Sequence, residues 1–209
     1  MFVREKVIKA ILDSGENFMS GEQLSKKLGI SRTAVWKHIN ALREEGYNIE
    51  SVNKKGYRLA EKPDDILSSE NIAYNLPTEF IGKKVIHLDT VGSTNDYAKE
   101  IGNKVSGGTL IISEQQTKGK GRLGRVWKSK SGDGIWMSLI IKPKIEPYKA
   151  PFLTLVAGAS VVKALSNLDV EASIKWPNDI IVHNKKICGI LTELSAEMER
   201  VNYVVIGIG

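Results

Sequence analysis

The chain's 209 residues, 42% hydrophobic and 26% charged, have the composition of a globular protein of one large or two small domains, which excludes a disordered chain, a collagen-like fibre and a pure coiled coil. No apolar run approaches the ~18–20 residues of a bilayer span, the start Met1-Phe2-Val3-Arg4-Glu5-Lys6 lacks a secretory core, and the single cysteine, Cys188, forms no internal disulfide. A cytoplasmic protein without a metal cluster is expected, and its net charge of +6 is uneven: residues 1–62 hold 12 Lys/Arg against 8 Asp/Glu, and residues 63–209 hold 18 against 16. The shorter, more basic piece is the better suited to a polyanion.

Val3, Val7, Ile8, Ile11 and Leu12 make a helical stripe closed by Asp13-Ser14-Gly15. Ser20-Gly21-Glu22-Gln23 has the form of a capping box and opens a second helix through Leu24 and Leu28, which Gly29 stops. Only Gly29, Ile30 and Ser31 separate it from a third helix, capped by Ser31, striped by Val35, Ile39 and Leu42 and ended by Gly46. So short a turn makes the two helices cross steeply, as in a helix-turn-helix. Tyr47 to Val52, the turn Asn53-Lys54-Lys55-Gly56 and Tyr57-Arg58-Leu59 then read as a hairpin with lysines at its tip, the wing of a winged helix-turn-helix. Thr33, Lys37 and Asn40 lie opposite the third helix's apolar stripe, Ser31 and Arg32 at its start, Trp36 at its border. With Lys54 and Lys55 they are the candidate DNA contacts, although a solvated face that docks protein has the same polarity.

Glu61-Lys62-Pro63-Asp64-Asp65 is charged, holds a proline and lacks periodicity, so a domain boundary is expected there, between residues 1–62 and 63–209. Beyond it, strands are expected at Lys84–Leu88, Thr109–Ser113, Ile135–Ile141, Ser173–Trp176, Ile180–His183, Lys186–Leu194 and Asn202–Ile208, and helices at Asn95–Ile101 and Tyr148–Leu168. A hairpin turning at Asn184-Lys185 argues for an antiparallel or mixed sheet and an α+β class.

Lys118-Gly119-Lys120-Gly121-Arg122-Leu123-Gly124-Arg125 is the most distinctive stretch. Its glycines let backbone approach a ligand and its four cations suit a phosphate or carboxylate, yet it matches neither common phosphate-loop pattern and could be a basic surface loop. Trp127 could stack on a base or belong to the core. Ser93-Thr94-Asn95 reads as a helix cap that could also bind a polar ligand. Lys175-Trp176-Pro177-Asn178-Asp179 reads as an Asx turn, Lys186 as a solvated lysine past a turn, and Cys188 as a small buried hydrophobe. His38, His87 and His183 form no pattern, and no nucleophile–base arrangement is visible.

Taken together, Gly92-Ser93-Thr94-Asn95, Gln115-Gln116-Thr117 running into Gly119 to Trp127, Lys175 to Asp179 and Lys186 to Leu191 occur in the order found in biotin protein ligases. With the winged helix-turn-helix in front, the chain resembles the bacterial bifunctional biotin ligase/biotin-operon repressors from about Arg4 to Gly209. The resemblance implies a catalytic domain similar to the class II aminoacyl-tRNA synthetase core. It also implies formation of biotinoyl-5′-adenylate from biotin and ATP, with Mg2+ on the nucleotide, then transfer of biotin to a lysine of a carboxyl carrier protein. Ser93, Thr94, Asn95, Gln116, Lys120, Gly121, Arg122 and Lys186 would hold biotin; Arg122, Arg125, Trp127, Asn178 and Asp179 would meet the nucleotide; Lys186 and Arg122 would carry catalysis. A ligand-induced homodimer on operator DNA is implied as well. Relatives have arginine where this chain has Lys120, and they continue past Gly209 into further strands and a small β-barrel, so the chain is expected to end inside its catalytic domain. Two other readings stay open: a biotin-sensing regulator without ligase activity, and a lipoate ligase of related fold.

Overall fold

The computed structural model describes residues 3–61, 67–198 and 200–209. They divide into two compact units, Met1–Asn75 and Leu76–Gly209. The expected linker lies, apart from Glu61, outside the described residues.

The first unit contains α1 (Val3–Asp13), α2 (Gly21–Leu28), α3 (Arg32–Glu44), β1 (Ile49–Val52), β2 (Gly56–Leu59) and α4 (Ser69–Asn75). The capping box forms: the Gln23 amide donates to Ser20 Oγ at 3.1 Å and the Ser20 amide to Gln23 Oε1 at 2.7 Å. Gly29 ends α2 in the left-handed region (φ 67°), and Ser31 caps α3 by accepting from the Ala34 amide at 3.1 Å. Val7, Ile8, Ile11, Leu24, Val35, Ile39 and Leu42 are buried together, as their helical spacing requires, and each contributes ~1.5–3 kcal/mol on leaving water. Gly56, at φ 112°, lies where a side chain would overlap the Met19 backbone, and Met19 and Tyr57 exchange backbone hydrogen bonds of 2.8 and 2.9 Å that fasten the wing. Helix α4 is not signalled by the sequence, because it is short and lacks an apolar stripe. The Ser68 hydroxyl caps it through the Asn71 amide and meets Tyr47 Oη at 2.6 Å.

The second unit contains β3 (Val85–Val91), α5 (Thr94–Ile101), β4 (Thr109–Gln116), β5 (Trp136–Ile141), α6 (Phe152–Ser166), β6 (Ser173–Lys175), β7 (Asp179–Val182), β8 (Lys185–Glu197) and β9 (Arg200–Ile208). The strands form one sheet in the order β3-β4-β5-β9-β8-β7-β6, with β3 and β4 parallel and the other pairs antiparallel. The hairpin turns one residue earlier than expected, at His183-Asn184, both at positive φ. Neighbouring strand residues point to opposite faces. Val205 packs with Ala98 of α5, while Val204 and Ile206 pack with Val161, Val162 and Leu165 of α6. The unit is thus a sheet between helices.

By length and composition Pro147–Ser166 would suffice to cross a membrane, with a mean hydropathy of 1.2; polar residues interrupt it, so it forms no unbroken apolar run in the sequence. Here Leu153, Val161, Val162 and Leu165 pack on the sheet, leaving Phe152 and Val156 exposed.

Candidate active site

Strand β3 ends at Val91, and after Gly92 the Ser93 hydroxyl caps α5 by accepting from the Asp96 amide. Below the first turn of α5 lies a buried polar floor. Gln116 Oε1 accepts from the Thr94 amide at 2.8 Å and from its hydroxyl at 3.0 Å, while Gln116 Nε2 donates to Ser129 Oγ at 2.8 Å. Ser138 Oγ lies 2.8 Å from Thr94 Oγ1 and 2.6 Å from Asn95 Oδ1. Asn95 Nδ2 donates to Glu193 Oε2 at 2.8 Å and to the Leu191 carbonyl at 3.2 Å. Every group is paired, so the floor is rigid enough to present a fixed set of donors and acceptors.

The glycine loop leaves β4 beside this floor. Thr117 and Lys118 donate to the carbonyls of Val91 and Gly92, Trp127 returns a bond to the Gly119 carbonyl at 2.9 Å, and Gly121 donates to Arg125 at 2.7 Å. A side chain at Gly119 would overlap the Trp127 carbonyl, so glycine is needed for the loop to close on itself. Arg122 to Gly124 form a short 3-10 turn that the sequence did not signal, with Leu123 in the left-handed region and almost wholly exposed.

A cavity of about 330 Å³ lies between loop and sheet. Thr94, Gln116, Lys120, Gly121, Arg122, Arg125, Trp127, Asn178, Asp179 and Lys186 all line it. Lys186 Nζ pairs with Asp179 Oδ1 at 2.8 Å and stands 4.9 Å from the centre of the Trp127 ring. Arg122 Nη1 donates to Asn178 Oδ1 at 3.0 Å, and Asn178 is held by its own bond to the Ile190 carbonyl. Trp127 Nε1 is buried with no hydrogen-bond partner among the described residues. Two cations, an indole and a polar floor suit a ligand with an anionic centre, a flat ring and a polar head.

Two expected biotin contacts sit elsewhere. Ser93 and Asn95 are buried and do not line the cavity; Ser93 is spent on the helix cap and Asn95 on the floor. Lys120 reaches the cavity wall, but its ammonium is paired with Asp96. The sequence pattern did not mark Ser129, Ser138 and Glu193, which hold the floor, or the lining residue Met137. Only Ser138, a serine within the apolar run of β5, carried a local signal. Burial raises the pKa of the Cys188 thiol, as suits a packing residue. None of the three histidines lines the cavity, and no group of three His, Cys, Asp or Glu among the described residues is placed to hold a metal.

In the first unit, Arg32, Thr33 and Trp36 face Ser51 to Lys54 of the wing across an open groove. Trp36 is 54% exposed there, on the groove rather than in the core. Lys55, beside Lys54 at the wing tip, does not line this groove; its Nζ lies 5.8 Å over the Phe18 ring. Lys37 is exposed outside the groove. The Ser31 hydroxyl is engaged in its cap, and Asn40 Oδ1 lies 3.4 Å from Arg43 Nη1. Arg43, which no motif in the sequence singled out, donates to the Ile49 carbonyl and to Ser51 Oγ and so joins wing to helix.

Residues 88–209 match the profile of the biotin/lipoate A/B protein ligase family, and residues 3–58 that of an HTH domain. The chain is 47% identical over 209 residues to the bifunctional ligase/repressor BirA of Bacillus subtilis and 37% identical over 201 residues to that of Escherichia coli, covering 99% and 96% of this chain. It spans 64% and 61% of those two proteins. Among solved structures it is similar to the biotin protein ligase of Aquifex aeolicus in complex with biotin and ATP, with 38% identity, a TM-score of 0.51 and coverage of 60% of this chain and 51% of that one.

Proposed function

The chain belongs to the biotin/lipoate A/B protein ligase family, and from that premise we propose that it joins biotin to ATP as biotinoyl-5′-adenylate, passes biotin to a lysine of a carboxyl carrier protein, and represses a biotin operon in the cytoplasm. The observation that carries the reading is the meeting of Lys186, Arg122 and Trp127 with the Thr94–Gln116 floor in one cavity. A carboxylate oxygen of biotin attacks the α-phosphorus of ATP; an O–P bond forms and the bond to pyrophosphate breaks. Two anions must approach, and Lys186 and Arg122 offset their repulsion and the charge that grows on the phosphoryl oxygens. Bound to the phosphates, Mg2+ would supply further neutralisation, its oxygen ligands coming from the nucleotide. Trp127 offers its face to the adenine, while Asn178 holds Arg122 in place. In the second step the carrier's amine attacks the acyl carbon and AMP leaves, so no enzyme nucleophile is needed. Mass spectrometry of an acceptor domain should show one added biotinoyl group only when biotin and ATP are both present.

The basic, grooved first unit carries the repressor reading. Each phosphate that Lys54 or Lys55 neutralises adds ~1 to the slope of log affinity against log salt, so Lys54→Ala and Lys55→Ala should each flatten that slope by ~1, equally for operator and random DNA. An unchanged slope removes the wing from the phosphate backbone. Dimerisation is part of the same proposal: adenylate orders the surface beside the glycine loop, and two copies then place two recognition helices on successive half-sites. Sedimentation without ligand, with biotin, and with biotin plus ATP should show dimer chiefly in the last. Equal dimerisation in all three removes the switch.

A further inference from the structure

Glu193, on β8, takes Lys99 Nζ on Oε1 at 2.6 Å and Asn95 Nδ2 on Oε2 at 2.8 Å. A partly exposed ion pair often does little beyond the surface, but the second oxygen of Glu193 joins this one to the floor of the cavity. An ionised carboxylate can only accept, so the Asn95 atom that faces it is the amide nitrogen, and the Leu191 carbonyl at 3.2 Å requires the same. Asn95 Oδ1 is thereby turned to Ser138 Oγ at 2.6 Å. An amide oxygen carries no hydrogen, so Ser138 donates its only one there. Toward Thr94 Oγ1, at 2.8 Å, Ser138 can then only accept. The Thr94 hydrogen lies between two acceptors, Ser138 Oγ and Gln116 Oε1, and no hydrogen of the floor points at Thr94 Oγ1. Ser138 and Asn95 are buried, so solvent does not rearrange the chain of bonds.

We propose that Glu193 is a positioning residue that fixes the hydrogen-bond polarity of the floor, so that Thr94, on the cavity wall, meets a ligand only as an acceptor. A ligand head that reaches Thr94 must then bring an N–H or O–H, and a head with neither gains nothing there. The ureido N–H groups of biotin satisfy that condition and the dithiolane of lipoate does not. This consequence rests on the proposed function; the polarity does not, since it follows from Glu193, Asn95, Ser138 and Thr94 alone. Lys99 is the counter-ion. Its hydrogen bond to Glu193 raises the Lys99 pKa, so the ammonium stays charged and can only donate.

The test reverses the polarity and then restores it. In Glu193→Gln the Lys99 ammonium claims the new amide's oxygen, because a charge-assisted bond is about twice as strong as a neutral one. The new amide nitrogen then faces Asn95, which turns over and donates to Ser138, and the Ser138 hydrogen passes to Thr94 Oγ1 and occupies a lone pair. Biotin affinity measured by calorimetry should fall about three- to tenfold, the worth of one hydrogen bond. Lys99→Met keeps the carboxylate and should bind biotin as the parent does. The double variant leaves the new amide free to turn its oxygen to Asn95, so its affinity should return to within about twofold of the parent's. A merely structural ion pair predicts the opposite, with the two single variants alike and the double no better. Nuclear Overhauser contacts in ligand-free protein read the polarity itself. The Asn95 Nδ2 hydrogens should meet the side chain at position 193 in the parent, in Lys99→Met and in the double variant, and the Ser138 β hydrogens in Glu193→Gln. Identical contacts in the parent and Glu193→Gln, or a double variant that binds no better than Glu193→Gln, overturn the proposal. Failure of the parent to bind biotin would instead overturn the ligase reading, and the contacts would still decide the polarity.

Discussion

Lys186→Gln should lower biotin-dependent adenylate formation by roughly 10²–10³-fold, the range seen when one group that stabilises transition-state charge is removed, while ligand-free binding to random DNA stays as in the parent. Lys186 stands on the cavity wall, paired with Asp179 at 2.8 Å and packed on the Trp127 ring. Glutamine preserves much of the length and can still touch the indole, but it removes the cation that faces Asp179. The Asp179 carboxylate would then face the incoming carboxylate and phosphates unneutralised, so the variant both weakens attraction and adds repulsion. DNA contacts are expected on α3 and the wing, which belong to the other unit, so ligand-free DNA affinity measured by anisotropy should not change. Adenylate formation within a factor of about three of the parent's would remove Lys186 from the chemistry, since that is far below the loss expected of such a group.

Gly207→Ala should destabilise the second unit by about 2–4 kcal/mol and weaken biotin binding by more than about tenfold, as overpacking and broken buried hydrogen bonds add. Gly207 pairs with Ser138 on one side and Leu191 on the other. A methyl there would overlap the Asn95 amide, which is buried and bonded to Ser138, Leu191 and Glu193. Asn95 could yield only by breaking those bonds, which leaves Glu193 Oε2 without its amide donor and Ser138 with Thr94 alone. Gly92→Ala is the control: a side chain there meets nothing within 4 Å, and stability should be unchanged. Urea unfolding and calorimetry with biotin would read both variants; a Gly207→Ala protein as stable as the parent would show that the floor repacks freely.

Features built within a few residues were legible before the structure. The Ser20–Gln23 box, the Ser31 cap and the apolar stripes of α1 to α3 are local, and they fall where the spacing puts them. Asn178, Asp179, Lys186 and the glycine loop stand out as motifs, and they meet in one cavity because β7 and β8 form a hairpin that returns Lys186 beside Asp179. What stayed hidden joins residues far apart in sequence. Glu193 reaches Asn95 and Lys99 across almost a hundred residues, Ser138 meets Thr94 and Asn95 across more than forty, and Lys120 meets Asp96 from a different element. The parallel pairing of β3 with β4 escaped for the same reason, since it depends on a crossover through α5. Ser93 and Asn95 show the limit of motif reading: they belong to the site's motif, yet here their side chains build the cavity without lining it.

In the proposed function this cavity activates biotin as an acyl-adenylate. The decisive measurement is exchange of labelled pyrophosphate into ATP with no acid, with biotin and with lipoate. Exchange that requires biotin, that disappears in Lys186→Gln and that lipoate does not support is the result predicted. Absence of exchange with biotin would leave a sensor without ligase activity, and equal exchange with lipoate would place the chain's specificity elsewhere in its family.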